Sequence, residues 1–237
     1  MFPCSNRRAI ILGLTAAWLL AGTLDSGATT IVLRSGNIAP PAQDPTITFL
    51  VEPNNSCTTP FPAPFTPADF AAADAGPPAW SVTPISEWTP SLQCDPAANW
   101  ISIDQNRSQR SALYSIPFTV NLDGADPCCI QYAQIYFCWM ADDLLGDSGS
   151  FPGPNPLGVY LNGVGLPIAG GGYTTEQGII VDITTLIRCG ENRLYVYDRD
   201  AGCGVAGAIF SATIDFTECV TPTKQTTWGR VRATYHR

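Results

Sequence analysis

The clearest alternation of apolar and polar positions lies in Ile130–Met140, where Ala133, Ile135, Phe137 and Trp139 share one face. Period two predicts a half-buried strand. Further strands are read at Thr29–Arg34, Thr46–Val51, Trp100–Ile103, Ala112–Val120, Gly158–Leu161, Leu166–Ile168, Gly178–Ile183, Asn192–Asp198 and Ala206–Phe216. Pro117 cannot donate to a ladder, so Ala112–Val120 should carry an edge or a bulge. Asn162-Gly163 predicts a hairpin, because both residues accept positive φ. Polar or Gly/Pro-rich turns occupy Asp104–Arg110, Asp123–Pro127, Asp142–Pro156 and Asp200–Gly204, and Thr184–Arg188 reads as a helical turn. From residue 29 onward no apolar repeat of helical period reaches helix length. Short strands with frequent turns predict an all-β sandwich or barrel. The long irregular connections favour a jelly roll.

Residues 53–98 break this rhythm. They are rich in Pro, Ala, Asp and Ser, with Phe61, Phe65, Phe70, Trp80 and Trp88 scattered among them. So long an insert is expected to pack its aromatics on the surface of the domain.

The first 28 residues read differently again. Arg7 and Arg8 precede the uncharged stretch Ala9–Ala21, and Ser26 and Ala28 stand at −3 and −1 of a cut before Thr29. This is the pattern of a cleavable signal peptide, and the apolar run is short of the about 20 residues that a membrane span needs. Thr23 follows Leu20-Ala21-Gly22 where a lipoprotein box would place cysteine, so no lipid anchor is expected. The expected organisation is a signal peptide over 1–28, a β-sandwich over 29–222 with the insert 53–98, and a basic tail over 223–237. The mature protein is expected to be secreted or at the cell surface, with no transmembrane segment.

Composition supports export. After the signal, eight cysteines remain: Cys57, Cys94, Cys128, Cys129, Cys138, Cys189, Cys203 and Cys219. An even number in a secreted chain reads as a disulfide framework. No C-x2-C pair occurs and the single histidine is the penultimate residue His236, which disfavours zinc. The mature chain holds 10 basic and 19 acidic residues, and Lys224, Arg230, Arg232 and Arg237 are all in the tail. A body so acidic repels phosphate backbones, so nucleic acid is not an expected partner.

Six segments resemble, in order, those of the galactose-binding-domain-like jelly rolls. They are Trp100-Ile101, YSIPFTV at Tyr114–Val120, AQIYFCWMADD at Ala133–Asp143, VYLNGV at Val159–Val164, VDITTLIRCGENRL at Val181–Leu194 and GAIFSATI at Gly207–Ile214. The stretch they mark, Trp100–Phe216, covers about half of the chain. The resemblance implies a β-sandwich whose ligand site lies in loops at one end. Neither the insert nor the eight cysteines is a general feature of that family. The tail TTWGRVRATYHR at Thr226–Arg237 is similar to short tails of some exported bacterial proteins, which would suit a sorting or attachment step.

Under that topology the Asp142–Pro156 and Asp198–Gly204 loops meet at one end. This gathers Asp142, Asp143, Asp198, Arg199 and Asp200 as ligand-binding candidates, with Tyr160, Asn162 and Tyr173 near them. Aromatic faces with carboxylate, amide and guanidinium groups suit a carbohydrate. The bland alternative is that Asp142, Asp143 and Asn162 only build turns. The same strand directions suggest Cys138–Cys203 at this end, Cys128 and Cys129 pairing with Cys189 and Cys219 at the other, and Cys57–Cys94 closing the insert. A vicinal Cys128–Cys129 bridge is the alternative. The single histidine, His236, sits on the expected tail rather than where an imidazole base would be held, so no enzymatic activity is expected. The leading expectation is a non-catalytic recognition or adhesion domain, with a glycan or cell-surface polysaccharide as partner. The alternatives are a structural surface or matrix protein, and a carboxylate-dependent glycosidase using Asp142, Asp143, Asp147, Asp182, Asp198 or Asp200. No cofactor is required. A structural calcium is an open option, although no EF-hand loop occurs.

Overall fold

The computed structural model describes residues 28–56, 58–122 and 129–219. Apart from Ala28, the expected signal peptide lies outside them, as do Cys57, Cys128 and the tail 223–237. The elements in chain order are β1 (Ala28–Arg34), β2 (Ala42–Val51), α1 (Pro67–Asp74), β3 (Pro78–Ser81), β4 (Ile101–Ser102), β5 (Ala112–Val120) and β6 (Ile130–Asp142). They continue with β7 (Leu144–Leu145), β8 (Val159–Leu161), β9 (Val164–Leu166), β10 (Gln177–Asp182), β11 (Gly190–Arg199) and β12 (Gly207–Glu218).

All twelve strands join one antiparallel sheet in the order β10-β6-β12-β4-β3-β2-β5-β11-β8-β9, with β1 added to β12 and β7 to β11. The sheet is nearly closed on itself. Ile135, Phe137, Phe210 and Ile214 from β6 and β12 share one core with Ile47, Tyr114, Ile116, Leu194 and Val196 from β2, β5 and β11. This is the expected all-β architecture, a disulfide-bonded sandwich compatible with a jelly roll and carrying a loop-rich insert. On β6 the alternation works as read: Ala133, Ile135 and Phe137 are wholly buried, while Tyr132 and Tyr136 on the opposite face are exposed. β2 pairs with β5 only at 112–115, so Pro117 lies where one side of β5 is an edge. Asn162 and Gly163 take positive φ in the β8–β9 hairpin.

The insert covers both outer faces of the sandwich. Its first half forms α1, whose N-terminus has a capping box: Thr66 accepts from the Asp69 amide, Asp69 accepts from the Thr66 amide, and Pro67 begins the helix. Phe61 and Phe70 pack there with Tyr160, Tyr195 and Tyr197. Its second half lies over β6 and β12, where Val82, Trp88, Leu92 and Trp100 enclose Met140 and Ile209. These two layers explain why β11 shows so little alternation in sequence: its outward residues Tyr195, Tyr197 and Arg199 are buried as fully as its inward ones.

Two expected disulfides are corrected. Cys94 pairs with Cys138, neither with Cys57 nor with Cys203 as expected. The reason is strand parity. Cys138 lies beside Met140 on the outer face of β6, under the insert segment that carries Cys94. Cys129 pairs with Cys219, one of the expected pairings at the opposite end, which rules out the vicinal bridge. Cys189 and Cys203 are disulfide-bonded as well. Among the described residues no helix is long and apolar enough to cross a membrane.

Candidate ligand pocket at the aspartate end of the sandwich

β6 and β11 end side by side. The Asp143 amide donates to the Arg199 carbonyl at 3.2 Å, and Asp142 stands opposite Gly207 of β12. The peptide between Asp142 and Asp143 is cis. Over this end lies the insert segment around Trp88, whose indole stacks on Trp100 at 4.2 Å between centroids. Trp88 Nε1–H donates to Asp142 Oδ2 at 2.7 Å, and Trp100 Nε1–H donates to the Thr89 carbonyl at 2.9 Å. A cavity of about 190 Å³ opens here. Ile85, Glu87 and Trp88 from the insert line one side, Asp142, Asp143 and Tyr173 another, and Asp200, Gly202, Gly204 and Val205 the remainder. Gly207 makes the close approach feasible, since a Cβ there would sit 2.8 Å from the Trp88 ring.

The pocket is acidic. Burial pushes the Asp142 carboxyl up to about 7; the Trp88 hydrogen bond opposes this, and the Asp143 and Asp200 charges add to it. Burial also raises Asp198 well above the usual carboxylate range, reinforced by Asp142, Asp200 and Asp143. Asp200 is raised by burial too, against the pull of the Gly204, Cys203 and Gly202 amides. Asp143 Oδ2 accepts from the Ala201 amide at 2.8 Å and the Gly202 amide at 2.5 Å, so it organises the 200–204 loop.

Of the eight sequence-predicted residues, the structure brings Asp142, Asp143, Tyr173 and Asp200 to the pocket wall. Asp198 lies behind them, fully buried. Arg199 does not join them. It points to the opposite face of β11 into a buried ion pair with Asp147, and also donates to the Thr58 carbonyl at 3.1 Å. Tyr160 packs between Phe65 and Phe70. Asn162 bridges the hairpin to the other end of the sandwich, donating to the Leu186 carbonyl and to Asn192 Oδ1, each at 2.9 Å. Asp182 is exposed and closes a turn onto Thr184. Trp88, Glu87 and Ile85 line the pocket without belonging to the sequence-predicted set. The one signal for them was an indole inside a polar, Pro-rich stretch.

A second cavity of about 460 Å³ is lined partly by residues next in sequence to those of the first. Thr89, Gln93, Tyr136, Thr174, Glu176 and Gln177 line it. The segments that line the two are joined where the Thr89 amide donates to the Tyr173 carbonyl at 3.0 Å and the Thr89 hydroxyl to the Thr174 carbonyl at 2.9 Å. Glu176 is fixed there by the Gln93 and Cys94 amides. It also lies near the sulfurs of Cys94 and Cys138, but these are joined in a disulfide and cannot serve as thiolate ligands.

No protein-family model matches the chain, and no curated protein sequence matches it.

Proposed function

We propose that this is an exported, non-catalytic recognition domain of the galactose-binding-like type, whose ligand is a carbohydrate chain. One observation carries the reading: two cavities lined by consecutive segments of the chain, the first by Trp88 and Tyr173 with Asp142, Asp143 and Asp200, the second by Tyr136 with Glu176 and hydroxyl and amide side chains. Sugars bind where an aromatic ring meets the apolar face and fixed carboxylates or amides accept from hydroxyls. Two neighbouring cavities suit successive residues of one chain better than a lone monosaccharide. The signal-like N-terminus and the disulfides suit an extracellular setting.

The test is a glycan array with the mature chain, then titration of any hit. The expected result is binding that weakens at least tenfold in both Tyr173→Ala and Asp143→Ala. No hit across plant, bacterial and animal glycans would overturn the proposal in favour of a structural surface protein. One observation favours a second reading, a carboxylate glycosidase: Asp142 is held protonated close to neutral pH beside a second carboxylate. Release of reducing ends from a bound glycan would establish that reading in place of the first.

A further inference from the structure

The two cavities differ in what they offer a ligand. The second is lined by Thr89, Ser91, Gln93, Thr174 and Gln177 beside Glu176, and its hydroxyls and amides both donate and accept. The first carries four carboxyl side chains, Glu87, Asp142, Asp143 and Asp200, and Tyr173 alone adds a hydroxyl. The Trp88 indole N–H is already committed to Asp142 Oδ2. Among the described residues no arginine or lysine lines this cavity or pairs with these acids.

The carboxylates are also short of partners. Protein donors reach only Oδ2 of Asp142 and Oδ2 of Asp143. Asp200 is 1% exposed, and neither of its oxygens accepts a hydrogen bond. The Gly202, Cys203 and Gly204 amides favour its charge without reaching hydrogen-bond geometry. Burial, with the Asp143 and Asp200 charges, keeps a proton on Asp142 up to about pH 7, as expected of acids that lack a positive partner.

Such a lining calls for a ligand that brings donors and positive charge. A sugar hydroxyl supplies one donor together with acceptor lone pairs of its own, and leaves the repulsion among the acids in place. A primary ammonium supplies three donors, no acceptor and the missing charge. Trp88 and Tyr173 belong to the same lining, and aromatic faces attract cations. We propose that the first cavity selects a sugar residue bearing a free, positively charged amine, that is, an amino sugar without its acetyl group, while the second takes a neutral residue of the same chain. This inference rests on the glycan reading and names the ligand class within it.

The test uses the full mature chain near neutral pH at low salt. The probes are oligosaccharides of gluco and galacto configuration, each in three matched forms that carry an amine, an N-acetyl group or a hydroxyl at the same carbon. An array finds the hits and titration calorimetry ranks them. The amine form is expected to bind at least about tenfold more tightly than either matched form, the worth of one charged hydrogen bond. Asp200→Asn keeps the shape, removes one charge and is expected to cut that preference at least about threefold. If it does not fold, as judged by near-UV circular dichroism, the exposed Glu87→Gln serves in its place. Equal binding of the hydroxyl or N-acetyl form, or a preference that survives the substitution, would overturn the amine assignment and leave the glycan reading standing. Equal binding of trilysine, which carries ammonium groups without a sugar, would do the same. Binding of none of the oligosaccharides would remove the glycan reading itself.

Discussion

The Trp88 indole donates to the Asp142 carboxylate at 2.7 Å across 54 residues of sequence. The insert thereby fixes the last residue of the longest strand. Trp88→Phe keeps the ring but deletes the donor. It is expected to destabilise the domain by about 1–3 kcal/mol, as for other buried acceptors left without a partner. Because this bond holds the Asp142 pKa down, the substitution should also move that pKa above its value of about 7. Urea melts and a carboxyl-carbon NMR titration check the two effects.

Stability should fall as pH rises. Asp142, Asp198 and Asp200 all have folded-state pKa values above the ordinary carboxylate value of 3.8. Between about pH 4 and 7 the folded chain therefore holds more protons than the unfolded one, and each unit of pH removes stability. The Asp142 contribution is lost as pH rises through about 7, and Asp198 and Asp200 add losses of the same sign. The Tm at pH 5 is expected to exceed that at pH 8 by several degrees. Scanning calorimetry at the two pH values checks the sign.

Arg199 and Asp147 form a buried pair to which Tyr197 also donates at 3.0 Å. Removing one member leaves an uncompensated buried charge. Arg199→Ala is expected to cost about 3–5 kcal/mol. Whatever fraction stays folded should bind glycan as before, because Arg199 faces away from the pocket. A Tm measurement together with binding at a temperature below it separates stability from recognition.

The strands, the hairpin at Asn162-Gly163 and the pairing end of the aspartates were legible in the sequence, because period two and turn chemistry are local signals. What was lost was parity. Asp198 and Arg199 are neighbours on one strand and must face opposite sides, so they could not share one site. The same rule sends Cys138 outward to Cys94. The insert was legible only as packed loop, since α1 has eight residues and almost no apolar stripe. Its capping box at Thr66 to Asp69 was the readable trace. Trp88 could not be tied to Asp142 without knowing which face the insert covers.

The Cys94–Cys138 disulfide joins that insert to β6 with a sequence separation of 44. Chain entropy assigns such a closure about 4 kcal/mol. The bond also adjoins the second cavity, where the Cys94 amide donates to Glu176, and Trp88 lies six residues upstream of Cys94 in sequence. Replacing both cysteines by alanine avoids a stray thiol and tests what the bond holds. The double variant is expected to lose stability on that order and to bind glycan more weakly even when folded, because the Trp88 wall is then held without a covalent tether, by packing and hydrogen bonds alone. If the folded variant bound glycan with unchanged affinity, the insert would be shown to position itself without the disulfide. Non-reducing peptide mapping of the parent chain should first yield the Cys94–Cys138 and Cys129–Cys219 peptides on which this reasoning stands.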